Sequence, residues 1–221
     1  MRIAFFSTKP YDRIWFEPMA KDYGYEIHFI ELPFSEETMF LANGYDAVCI
    51  FVNDQVNGRM IDYLSENKVK ALLLRSAGYN HVDVKAAKGK IAVLRVPSYS
   101  PEAVAEFAMA MLLTVNRFTH KAYGRTRDFN MNINGLMGTD LYHKVAGVIG
   151  TGKIGQAMIR IFHGFRMNVL AYDPYPNHNL DVQYVGLSEL LAKADFISLH
   201  CPLTPETHHI INEKTIAEMK E

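Results

Sequence analysis

Short apolar runs punctuate the first hundred residues at Ile3 to Phe6, Ile27 to Ile30, Ala47 to Phe51, Ala71 to Leu74 and Ile91 to Val96, with polar or amphipathic stretches between them. Strands that are apolar at consecutive positions, rather than at alternate ones, are covered on both faces. That is the pattern of parallel strands in a βαβ succession. The first half therefore predicts a doubly wound parallel sheet.

The pattern changes at Pro97 to Pro101. Ser100 is suited to cap a helix, Pro101 to its first position, and Glu102 to the positive end of its dipole. Val104, Phe107, Ala108, Met111, Leu112 and Val115 then recur at three- and four-residue spacing, which predicts a long helix with one apolar stripe crossing into a second domain. Arg117 to Arg127 is polar, and residues 130–138 read as a loop. The βα alternation then restarts: a strand at Val145 to Ile149, a helix at Ile154 to His163 stopped by Gly164, strands at Met167 to Ala171 and Asp195 to Leu199, and a helix at Ser188 to Ala194. The expected fold class is α/β, with two doubly wound parallel-sheet domains: a flavodoxin-like one over 1–100 and a Rossmann one over 101–221 that begins with the crossover helix.

Composition narrows the function. In 221 residues, 49% are hydrophobic, enough for a sizeable core, and 23 basic against 24 acidic side chains leave a formal charge of −1 without blocks. Neither nucleic acid nor an anionic membrane is an expected partner, and a small molecule is. The apolar run near the N-terminus is too short for a signal-peptide core, no stretch reaches membrane-spanning length, and the expected location is the cytoplasm. Cys49 and Cys201 lie far apart without a CxxC spacing, so neither a disulfide framework nor a zinc site is expected.

The chemistry concentrates in VAGVIGTGKIG, where Gly150, Gly152 and Gly155 hold the GxGxxG spacing between a predicted strand and a predicted helix. The first glycine suits the tight turn, the second a close approach of pyrophosphate, and the third close packing of helix on strand. Lys153 adds positive charge at the rim of the helix N-terminus. Asp173 follows 18 residues beyond Gly155, where a carboxylate accepts hydrogen bonds from the adenosine ribose, and its charge favours NAD over NADP. The bland alternatives are an ordinary glycine-rich turn and a strand-end aspartate before proline. The first turn of the N-terminal half, Ser7 to Tyr11, has no glycine and is expected to bind no second nucleotide. Cofactor on one side of a cleft and substrate on the other is the arrangement this suggests.

Several segments also resemble a known family: RSAGYNHVD at Arg75 to Asp83, VPSYSPEAVAEFA at Val96 to Ala108, AGVIGTGKIG at Ala146 to Gly155, AYDPYP at Ala171 to Pro176 and SLHCPLTPET at Ser198 to Thr207. Together they resemble the D-isomer-specific 2-hydroxyacid dehydrogenases, with the fermentative D-lactate dehydrogenases of bacteria as the most similar branch. The resemblance implies NAD-linked interconversion of a small 2-oxo acid and its 2-hydroxy acid, pyruvate and D-lactate above others. It implies that the backbone N–H groups at Ala77 and Gly78 take the substrate carboxylate and that Tyr99 faces the substrate; as residues alone, Gly78 equally suits a turn and Tyr99 a packed aromatic. Lys153 and Ile154 would line the pyrophosphate, and Cys201, Pro202 and Thr207 would border the nicotinamide or its ribose. A homo-oligomer built on the cofactor domain and crossover helix is also implied.

Other tempting pairs carry less. His200 with Cys201 suffers because adjacent strand-end residues point in different directions, His208 with His209 lacks a third ligand, and Glu102 is already explained by the helix dipole, with Glu106 one turn on. In the family, an arginine and a histidine with its glutamate complete the reaction. No residue here matches those motifs, which would lie beyond Glu221. The chain is thus expected to represent the N-terminal two-thirds, with an incomplete Rossmann domain, an exposed apolar edge at Asp195 to Leu199 and negligible turnover by itself. Alternatives are a non-catalytic NAD(H)-binding module, or a relative acting on hydroxypyruvate, glycerate, phosphoglycerate or formate.

Overall fold

A computed structural model describes residues 1–220 and divides the chain into two compact units, Met1–Tyr99 and Ser100–Glu221. In the first unit, β1 (Arg2–Phe5), β2 (Glu26–Phe29), β3 (Ala47–Ile50), β4 (Ala71–Leu74) and β5 (Ala92–Arg95) form one parallel sheet in the order β2-β1-β3-β4-β5. This is the flavodoxin-like order, with a switch point where β1 neighbours both β2 and β3. Helices α1 (Pro10–Asp22), α2 (Gly58–Glu66) and α3 (Val84–Ala87) connect the strands. All four residues of β3 are buried, because this central strand is covered on both faces. Its side chains divide between a cluster with Phe6, Met60, Ile61 and Leu72 and one with Ile3 and Phe5.

The second unit opens with α4 (Pro101–Arg117), whose Ala103 N–H is capped by Ser100 Oγ at 3.1 Å. The expected apolar stripe divides. Ala105 and Met109 are buried, Ala108 and Leu112 pack beside them, while Phe107, Met111 and Val115 point away from this unit's core. The physical reason is that α4 is apolar nearly all round, so periodicity alone could not choose the inward face. Phe118, in the left-handed region at φ +52°, breaks the helix, and the polar stretch continues as α5 (Thr119–Arg127).

Then come β6 (Val145–Ile149), α6 (Lys153–Gly164), β7 (Asn168–Tyr172), the two-residue β8 (Gln183–Tyr184), α7 (Leu187–Lys193), β9 (Phe196–Leu199) and α8 (Glu213–Ala217). The sheet is parallel throughout, in the order β8-β7-β6-β9. Nothing in the apolar pattern had marked β8. Helix α6 buries Ala157, Met158 and Phe162 against Ala146 and Val148 of β6 and against α4, and the Phe162 ring alone is worth about 2–3 kcal/mol. Helix α6 ends at Gly164, its last residue, while the left-handed conformation that turns the chain falls to Arg166 at φ +55°. At β9, which pairs only with β6 among the described residues, Phe196 and Ile197 are half-buried and Leu199 is exposed.

Candidate functional site

Between β6 and α6 only Gly150, Thr151 and Gly152 reverse the chain. Gly150 sits at φ +93°, and a Cβ there would stand 2.7 Å from the Cys201 nitrogen and 2.8 Å from the His200 carbonyl, so the loop after β9 rests directly on it. A Cβ on Gly155 would lie 2.0 Å from the Gly150 oxygen, which lets the first turn of α6 press onto the turn itself. Gly152 differs: no atom lies within 4 Å of a Cβ placed there, so the space in front of it is open. Gly152 caps α6 without a side chain, and the N–H groups of Gly152, Lys153 and Ile154 have no partner among the described residues. Exposed Lys153 and half-buried Ile154 flank this positive helix end, which is built to receive an anion.

Asp173, one residue past β7, is bound into the same turn. Its Oδ2 accepts the Thr151 N–H at 2.7 Å and the Thr151 hydroxyl at 2.8 Å, and its Oδ1 accepts the Tyr175 N–H at 2.9 Å. Burial alone raises its carboxyl, but these three donors reverse the sign and hold it below the usual carboxylate range. A cavity of about 370 Å³ opens beside it, lined by Gly150, Tyr172, Pro174, Tyr175, Cys201, Pro202 and Thr207. Thr207 also staples its own loop, its hydroxyl donating to the Pro202 carbonyl at 2.6 Å and accepting the Thr204 N–H at 2.8 Å. A dinucleotide fits this set of groups: free N–H groups for phosphate, an acceptor for ribose, and a largely apolar slot of nucleoside size.

In the first unit the expected substrate residues lie on loops at the carboxyl ends of β4 and β5. The N–H groups of Ala77 and Gly78 have no partner among the described residues, and a Cβ on Gly78 would meet nothing within 4 Å. The Ala77 carbonyl accepts from Arg95 at 2.9 Å and the Gly78 carbonyl from Ser76 Oγ at 2.8 Å, which fixes the segment with its N–H groups left over. Tyr99 is 67% exposed.

Two buried ionic groups hold the neighbouring loops, and sequence reasoning overlooked both. Asp54 accepts from Ser7 Oγ at 2.7 Å, Phe34 N–H at 3.0 Å and Phe51 N–H at 2.7 Å. Arg75 donates to the Phe6 and Ser7 carbonyls at 3.1 and 3.2 Å, lies 3.8 Å from the Asp12 carboxylate, and rests over the Phe5 ring. Together they clamp Ser7 at φ +51°, a strained position for a serine. Arg75 lay inside a recognised segment, but nothing in sequence says that a charged side chain turns inward.

The discounted pairs stay apart from this chemistry. His200 Nε2 shares a 2.8 Å hydrogen bond with Ser198 Oγ, and burial lowers its pKa, whereas Cys201 borders the cavity. His208 and His209 stack on each other at the surface. Glu102 pairs with Arg160 of α6 at 3.1 Å, and Glu106 borders the same surface cleft. Burial pushes the Cys49 thiol up to about 11, so it stays protonated. Among the described residues no three His, Cys, Asp or Glu side chains gather as a metal would need, and no helix is long and apolar enough to cross a membrane.

Residues 109–221 match the model of the D-isomer specific 2-hydroxyacid dehydrogenase NAD-binding domain. The whole chain is 49% identical to D-lactate dehydrogenase of Escherichia coli, over 68% of that protein's length. This chain belongs to the D-isomer-specific 2-hydroxyacid dehydrogenase family. Members of the family are NAD-dependent oxidoreductases, and the fold agrees. The apo structure of the E. coli enzyme superposes with a TM-score of 0.91, covering 100% of this chain and 71% of that one. The pyruvate reductase of Chlamydomonas reinhardtii matches with a TM-score of 0.89 at 42% identity, covering 100% and 66%. D-lactate dehydrogenase from Aquifex aeolicus, solved with NAD and lactic acid, matches with a TM-score of 0.85 at 32% identity, covering 99% and 66%. NAD is therefore the cofactor of this dehydrogenase family.

Proposed function

We propose that this dehydrogenase interconverts pyruvate and D-lactate, with the second unit holding NAD(H) and the first holding the substrate carboxylate. The observation that carries the reading is the convergence of the glycine turn, Asp173 and the nucleoside-sized cavity at the carboxyl ends of β6, β7 and β9. Pyrophosphate lies on the N–H groups of Gly152, Lys153 and Ile154, with Gly150 and Gly155 keeping the turn tight. Asp173 accepts from the adenosine ribose, and its charge disfavours a 2′-phosphate. Because Cys201, Pro202 and Thr207 share a cavity with Asp173, they wall the adenosine half rather than the nicotinamide half. When bound, the cofactor supplies the hydride.

The unpaired N–H groups of Ala77 and Gly78 take the substrate carboxylate, and Tyr99 covers it. Reduction of the ketone builds alkoxide charge that needs a cation and a proton donor. His200 is tied to Ser198 and has no orienting carboxylate hydrogen-bonded to it among the described residues. Residues 1–221 by themselves therefore bind cofactor without appreciable turnover, which is also what a cofactor-binding module would do. Homo-oligomers form through the outward apolar face of α4, where Phe107, Met111 and Val115 stand at four-residue spacing.

Titration of the 221-residue chain with NADH, followed by nicotinamide fluorescence, is expected to saturate. With pyruvate added, NADH absorbance is expected to stay constant, whereas a chain that includes the family's arginine, glutamate and histidine motifs oxidises it. Absence of saturable NADH binding would sink the cofactor assignments. Turnover by the 221 residues alone would sink the division of labour, and a longer chain preferring hydroxypyruvate to pyruvate would move the substrate.

A further inference from the structure

Asp173 receives more than its two backbone donors. The Asn177 N–H donates to Tyr184 Oη at 3.0 Å, the Tyr184 hydroxyl donates to Thr151 Oγ1 at 3.0 Å, and the Thr151 hydroxyl donates to Asp173 Oδ2 at 2.8 Å. A backbone N–H can only donate and a carboxylate can only accept, so both hydroxyl directions in this relay are fixed. Thr151 is buried, and the Tyr184 ring is held edge-on to His178 at 5.9 Å. Tyr184 belongs to β8, in register with Ala171 of β7, two residues before Asp173. The relay therefore joins the outer strand, the acidic residue and the glycine turn.

Counting acceptors shows what the relay leaves open. Oδ2 of Asp173 already takes two donors, the N–H and hydroxyl of Thr151, whereas Oδ1 takes only the Tyr175 N–H. A carboxylate oxygen offers two lone pairs, so Oδ1 keeps one free. We propose that Tyr184 and Thr151 are positioning residues, whose hydroxyl relay fixes the rotation of the Asp173 carboxylate so that the free lone pair of Oδ1 meets a ribose hydroxyl of the cofactor. The inference rests on the reading of Asp173 as the ribose acceptor. Tyr184 need not touch the cofactor. It acts by polarising and orienting the Thr151 hydroxyl, since hydrogen bonds in a chain strengthen one another and hold their members in place.

The test compares the affinities of the full 221-residue chain for ADP and for 2′,3′-dideoxy-ADP, by calorimetry, in wild type, Tyr184→Phe, Thr151→Ser and Thr151→Val. Wild type is expected to prefer ADP by about tenfold, the worth of a hydrogen bond to a charged acceptor. Tyr184→Phe is expected to cut that preference to about threefold by weakening ADP binding while leaving dideoxy-ADP unchanged. Thr151→Ser keeps the hydroxyl and the wild-type preference, and Thr151→Val loses most of it. Adding Tyr184→Phe to Thr151→Val costs nothing further, because the relay runs through Thr151. Equal weakening of both ligands by Tyr184→Phe, or an unchanged preference, would overturn the inference and leave Tyr184 a prop of the fold. No preference in the wild type would instead remove the reading of Asp173, and the inference with it. Should Thr151→Val lose its far-ultraviolet signature, Tyr184→Phe and Thr151→Ser decide the matter by themselves.

Discussion

Two glycines of one motif are expected to answer differently to the same extra methyl group. At Gly155 a Cβ would stand 2.0 Å from the Gly150 carbonyl oxygen, and a close carbon–oxygen contact needs about 3.3 Å. The obstacle is backbone, which no rotamer change removes, so Gly155→Ala must part α6 from the turn by roughly 1 Å. Overpacking of that kind costs about 1–3 kcal/mol, or about 3–10 °C in the melting temperature of a domain this size. The same shift carries the N–H groups of Gly152, Lys153 and Ile154 away from the proposed pyrophosphate position, so NADH affinity is expected to fall at least tenfold. At Gly152 a Cβ meets nothing within 4 Å, and the backbone is not in the left-handed region. Gly152→Ala is expected to melt within about 1 °C of wild type and still lose affinity, because the methyl group occupies the space that the phosphate requires. Thermal denaturation beside NADH fluorescence titration separates the two effects. Wild-type stability in Gly155→Ala, or wild-type affinity in Gly152→Ala, would refute the reasoning.

Phe162, fully buried between α6, β6 and α4, is expected to cost about 3–5 kcal/mol when replaced by alanine, read by urea denaturation. Arg75→Met leaves the Phe6 and Ser7 carbonyls without their buried donor and the Asp12 carboxylate without its neighbouring cation, and a loss of about 3 kcal/mol is expected; an unchanged midpoint would count against the clamp. Arg160→Ala removes only an exposed partner of Glu102 and is expected to shift stability by less than about 0.5 kcal/mol. Asp173 holds its proton less tightly when folded than when unfolded, so its contribution to stability is present above about pH 4 and fades as pH falls through the lower folded value. Acid melts of Asp173→Asn are expected to lack that part of the decline.

The repeating apolar runs were enough, by themselves, to specify two parallel α/β units, because strands buried on both faces must be apolar at consecutive positions. The glycine turn between β6 and α6 was equally legible. Gly150 and Gly155 are required by backbone sterics that act within a few residues, and Ser100 caps α4 by an equally local bond. Local sequence could not choose between alternatives of equal local merit. Helix α4 is apolar on most of its surface, so only packing against α6 and β6 decided that Ala105 and Met109 turn inward while Phe107 and Val115 do not. Strand β8 has two residues, too few for any period. The partners Asp54, Arg75, Thr151 and Tyr184 were invisible for a related reason: a polar side chain reads as surface until the fold brings its complement within hydrogen-bonding distance, across 22 residues for Thr151 and Asp173 and 68 for Arg75 and Ser7. Sequence determined where the glycine turn lies. Tertiary structure decided which side chains hold it in shape.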